Sequence, residues 1–164
     1  MTEDFDPLAL SEYQRRVLAE APVMAGMAIY AVSHPGPWGA VRELRAASTA
    51  NHLIRNPGER DEATELIEML CREVRSTSVS RELQDRLDVD DANLPAVAMA
   101  ALEETAVVIG GALPSPVREQ YVAWILDVAH DVAAATADRG EKVPVSAEEY
   151  RMLARIESVL SGSL

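Results

Sequence analysis

Between His130 and Tyr150 the chain reads HDVAAATADRGEKVPVSAEEY, and two separate sets of residues around this stretch have the chemistry to hold a metal ion. In the first, Asp138 and Glu141 offer hard carboxylate oxygens on either side of Gly140, which permits a sharp bend, and Glu148 or Glu149 can fold back from the next helix. Oxygen donors of this kind suit Ca²⁺ or Mg²⁺, although the spacing is not that of a twelve-residue EF-hand loop. The same residues also make an ordinary link, with Asp138 and Gly140 turning the chain and Glu149 capping the helix that follows. In the second set, Asp127 and His130 lie three apart and Asp131 follows one residue later, so all three share one side of a helix. With Glu104, next to Glu103 on a preceding helix, they would supply a His-carboxylate site for Fe, Mn or Zn, or a proton relay. Di-metal helical bundles use Glu-x-x-His on two helices, whereas this chain has a single Asp-x-x-His, and a solvated helix face or a His hydrogen-bonded at the rim is the simpler reading.

Other candidates carry less chemistry. His34 and His52 fall at a loop and at the polar end of a helix. Ser33 beside His34 is no triad, because sequence neighbours do not supply the geometry of a nucleophile and its base. Cys71 falls on an apolar stripe, where a buried inert thiol is expected, and one cysteine makes no internal disulfide. The chain has no P-loop, no dinucleotide-binding glycine pattern and no paired-cysteine motif. Its formal net charge of −12 repels a phosphate backbone, and no basic stripe opposes it, which argues against nucleic-acid binding. Acidic surfaces attract cations or basic partners, and they also serve solubility alone.

The elements that must position these residues read as helices. The chain has 164 residues, 48% of them hydrophobic but only 4% aromatic, so Ala, Val, Leu, Ile and Met fill its core. SEYQRRVLAEAP opens with Ser11 and Gln14 at capping-box spacing and is expected to stop before Pro22. A compact apolar helix over Val23–Ser33 follows, with small residues that admit close neighbours, and then a helix from Trp38 ending near NPG. Ala63, Leu66, Ile67, Leu70, Cys71 and Val74 recur at i, i+3, i+4, i+7 and predict a strongly amphipathic helix. A short helix is expected over Ser80–Leu87. NLPAVAMAALEETAVVIGGAL reads as the central buried helix, ended or loosened at Gly110 and Gly111. Ser115 and Pro116 start a helix with an inward stripe of Val117, Tyr121, Trp124, Ile125, Val128 and Val132. Ser146 and Glu149 form a capping box for the last helix, which buries Leu153, Ile156 and Leu160. No segment alternates with period two. The expectation is one all-α domain over 1–164, a bundle of about seven or eight helices. The order small-residue helix, break, helix occurs twice, which predicts two helix pairs related by a pseudo-twofold. No apolar run is read as a membrane span, and the acidic start lacks a signal sequence. If the protein is a homo-oligomer, Tyr30, Trp38 or Trp124 would sit at the contact.

The last quarter of the chain, ILDVAHDVAAATADRGEKVPVSAEEYRMLARIESVLSG, resembles the C-terminal helix pair of the tellurite-resistance TerB-like family. Asp138, Gly140, Glu141, Ser146, Glu148 and Glu149 stand at places comparable to the family's Asp-Gly-acid turn and capped final helix. Arg139 separates Asp138 from Gly140, KVPV lengthens the turn, and HPGP replaces the acidic turn in the first copy. The resemblance implies an all-helical fold with a weak duplication and a cytoplasmic, stress-associated protein. It further implies action through protein partners, with divalent cations bound at the acidic turn and no established catalytic reaction.

Overall fold

The computed structural model describes residues 5–33, 61–90, 92–137 and 145–162. These form a short 3-10 turn, Pro7–Ala9, and six helices: α1 (Glu12–Ser33), α2 (Glu62–Val74), α3 (Thr77–Leu87), α4 (Leu94–Ala112), α5 (Ser115–Ala137) and α6 (Ala147–Ser161). The all-α expectation holds, and no strand occurs among the described residues. The helix expected from Trp38, together with His34 and His52, lies outside the described residues.

The first departure from expectation is α1. Two helices separated at Pro22 were predicted, and one continuous helix of 22 residues is found with Pro22 inside it. Proline has no N–H to offer the carbonyl four residues back, which here is Leu18. That carbonyl is not orphaned. The buried Tyr121 of α5 donates its hydroxyl to the Leu18 oxygen at 2.6 Å. A side chain 103 residues away thus takes the place of the missing backbone donor, and the helix continues. Burial pushes the Tyr121 phenol well up, so it remains a neutral donor.

Continuity makes α1 the centre of the bundle. Every residue from Val17 to Tyr30 is buried. α4 was expected in that place, but it leaves Val107 and Glu103 in solvent. α4 and α5 each pack extensively on α1, which lies between them, and α6 closes the bundle against all three. The small residues of α1 permit this closeness: a Cβ added at Gly26 would stand 3.2 Å from Val132 Cγ2 of α5. By length and composition alone both α1 and α4 could cross a membrane, and in this fold 78% of the α1 window and 50% of the α4 window are buried inside the bundle. Trp124 is 2% exposed and packs 5.9 Å from the Tyr121 ring, and Tyr30 is also buried. Both belong to the core of the protomer rather than to an exposed contact.

Where periodicity was the guide, position and burial agree. The six apolar residues expected on α2 are its six buried residues, Cys71 among them. Leu66, Ile67 and Leu70, each no more than 1% exposed, contribute roughly 1.5–3 kcal/mol apiece by leaving water. The inward stripes of α5 and α6 are buried as predicted. Ser115 lies within the first turn of α5, its hydroxyl 3.2 Å from Glu119, and the Pro114 carbonyl accepts the first helical bond.

Asp61 caps α2, accepting from the Thr64 N–H at 2.8 Å and the Thr64 hydroxyl at 2.7 Å. These bonds hold its carboxyl below the ordinary 3.8. Because the folded value is depressed, the stabilisation is present above the ordinary value and is lost as pH falls through the folded one. Asp61→Ala is therefore expected to cost about 1 kcal/mol at neutral pH. In urea unfolding at successively lower pH, that difference from the wild type should vanish in the acid range below the ordinary carboxylate value.

Candidate functional site

The residues first suspected of holding metal fall only partly within the described residues. Asp138 and Glu141 lie outside the described residues. Glu148 is exposed in the first turn of α6. Its neighbour Glu149 is buried and fully engaged: Oε2 accepts from the Ser146 N–H at 2.6 Å, the Ser146 hydroxyl accepts from the Glu149 N–H at 3.2 Å, and the Ser33 hydroxyl of α1 donates to Oε1. The predicted capping box is present, and it also ties the start of α6 to the end of α1. Asp127 and His130 are exposed on α5, while Glu104 of α4 accepts a 2.6 Å hydrogen bond from Tyr13. Since α1 separates α4 from α5, the alternative trio Asp127, His130 and Glu104 is not brought together. No group of three His, Cys, Asp or Glu able to hold a metal is found among the described residues.

Two other features are built with more care. The first begins at the amino end. The Phe5 N–H donates to Glu62 Oε1 at 2.9 Å, fastening the incoming chain to the start of α2. Asp6 then accepts from the Leu8 N–H at 2.9 Å, and Pro7 supplies the fixed φ of a helical first residue, so the chain makes the 3-10 turn. This turn thrusts Leu8 outward, 74% exposed. Between it and α2 runs a groove of about 520 Å³, whose apolar lining is Pro7, Leu8 and Met69. Asp6, Glu65, Glu68 and Glu73 line it against a single cation, Arg72. A second groove of about 670 Å³ on the other side of the turn has Asp6 as its one charged lining residue. The α2 side therefore combines an exposed apolar anchor with directional negative charge.

The second feature is Glu20. It sits on α1 at 2% exposure, with Oε2 bonded to Arg86 of α3. Arg16 and Glu82 form a parallel, more exposed pair at 3.0 Å between the same two helices. Glu20 borders a chamber of about 10 Å³ shared with Arg86, Glu104 and Thr105. Burial pushes its carboxyl up, opposed by the Arg86 and Arg16 charges. At the chamber's rim, the hydrogen bond to Glu104 pushes the Tyr13 phenol up as well.

No family model, no curated protein and no solved structure matches the chain.

Neither feature was found from the sequence, although each left a trace. Asp6-Pro7-Leu8 carries a cap, a helical starter and a bulky apolar residue in the order of an initiated turn. Glu20 falls three residues after Val17 and four before Met24, in phase with a buried stripe, where a lone acid signals a partner supplied from elsewhere.

Proposed function

We propose that this protein is a non-catalytic interaction module whose acidic groove between Pro7–Ala9 and α2 receives a basic, amphipathic helical segment of a protein partner. The observation that carries this reading is the exposed Leu8 beside Met69, ringed by Asp6, Glu65, Glu68 and Glu73. From Glu65 to Glu73 the wall runs along just over two turns of α2, about 12 Å, a length that a partner helix of three to four turns covers. An apolar side chain on that helix would pack on Leu8 and Met69, and Lys or Arg one turn away would meet the carboxylates. The net charge of −12 favours encounter with such a segment.

The groove also agrees with what the TerB-like resemblance implies, a cytoplasmic stress-response protein that works through partners. Within that reading the full fold has seven or eight helices in two pseudo-twofold pairs, and Asp138, Glu141 and Glu148 bind Ca²⁺ or Mg²⁺ weakly. The interaction reading is tested by NMR titration with an amphipathic Lys/Leu peptide of four turns. Shift changes centred on Leu8, Glu65, Met69 and Arg72 support it. Changes spread evenly over the acidic surface, or centred on another face, refute it.

A further inference from the structure

Glu20 occupies a place where an ionised carboxylate is short of one hydrogen. Its Oε2 is bonded to Arg86, but its Oε1 is buried and has no hydrogen-bond donor among the described residues. The other polar groups of the chamber do not supply one. Thr105 spends its proton on the Ala101 carbonyl at 2.8 Å, and the Glu104 carboxylate only accepts, already taking the Tyr13 proton. A buried, charged acceptor left in this condition is costly, and a proton on the carboxylate lowers that cost by removing the charge that burial opposes.

We propose that Glu20 is a proton-binding site built into the junction of α1, α3 and α4, and that proton uptake there tightens α3 onto the other two helices. The charged and titratable groups facing it are Arg16 on α1, Arg86 and Glu82 on α3, and Glu104 on α4, with Tyr13 bonded to Glu104 at the rim. The two guanidinium groups favour the anion, while burial and the two neighbouring carboxylates oppose it, and the folded value moves upward. With α3 released, Glu20 meets water and returns toward its ordinary value. The docked state therefore binds the proton more tightly than the released state, so acid favours docking and alkali loosens it. Among the described residues, the other ties of α3 include the buried Leu83 and Leu87 and the exposed Arg16–Glu82 pair.

The experiment is amide hydrogen exchange by NMR on the full chain, expressed as protection factors, from about pH 8 down to about pH 4.5, the ordinary value of the carboxyl. Protection of α3 in the wild type is expected to rise about twofold or more toward acid, while that of α5 changes far less. Glu20→Gln mimics the protonated acid, its carbonyl accepting from Arg86 and its amide facing the chamber. It should show the acid level of α3 protection at every pH. A flat wild-type profile, the result if a buried water supplies the missing hydrogen, overturns the proposal. So does a Glu20→Gln variant whose α3 is less protected than the wild type. Should that variant fail to fold, Glu82→Gln serves as a surface control: a wild-type pH response that disappears with it places the proton on Glu82 and overturns the assignment to Glu20, and a retained response supports it.

Discussion

Tyr121→Phe is expected to lower stability by about 1–3 kcal/mol, well beyond the loss of a typical hydroxyl. The reason lies in α1. Pro22 cannot donate to the Leu18 carbonyl, and the Tyr121 hydroxyl at 2.6 Å does so instead. Phenylalanine keeps the ring against Trp124 but leaves a buried carbonyl with no donor. Pro22→Ala should largely restore the loss in the Tyr121→Phe background, because alanine returns the N–H that the helix lacks. A double-mutant cycle in urea then shows strong coupling, with Pro22→Ala restoring stability in the Tyr121→Phe background rather than adding to the loss. Additive effects would mean that the tyrosine and proline are not linked through the Leu18 carbonyl.

Arg86→Ala is the second large effect, about 2–3 kcal/mol near pH 8, and its size should depend on pH. Removing the guanidinium leaves Glu20 buried at 2% exposure without its one strong donor. The Glu20 carboxyl then rises further above its ordinary value. A folded value that is raised gives stability present at low pH and lost as pH climbs through it, so the penalty should shrink steadily on acidification. Chemical denaturation across this range supplies the test. In the Glu20→Gln background the same Arg86→Ala change should cost markedly less and show little pH dependence, because Arg86 itself is 41% exposed and can return to water. An equal, pH-independent cost in both backgrounds would show that Arg86 acts by packing alone.

The sequence was most informative where one local rule acted alone. The stripe from Ala63 to Val74 and the Ser146–Glu149 capping box needed only helical period and cap chemistry, and both occur as read. Pro22 was misread because its rule is also local: the donor that overrides it lies 103 residues away on α5. The same blindness hid the centre of the bundle. α4 is the more apolar segment, yet α1 is buried all round because α4 and α5 cover it from different sides. For the candidate sites, spacing along α5 put Asp127 and His130 on one face but could not show that α1 stands between them and Glu104. Glu20, an acid in the phase of a core stripe, was legible as an oddity, and only the fold could name Arg86 as its partner.

The interaction reading rests on the groove beside α2, and a peptide affinity comparison tests it most directly. The probe is an amphipathic Lys/Leu helix of about 16 residues, measured by calorimetry at physiological salt against the wild type and three variants. Glu65→Lys with Glu68→Lys is expected to weaken binding about tenfold or more, and Leu8→Ser, which leaves every charge in place, to weaken it by about as much. The equal charge reversal Glu103→Lys with Glu157→Lys, on the exposed faces of α4 and α6, should weaken it no more than about threefold. Equal losses from both reversals, with no effect of Leu8→Ser, would mean that the peptide senses only net charge, and the groove would then not be the binding site.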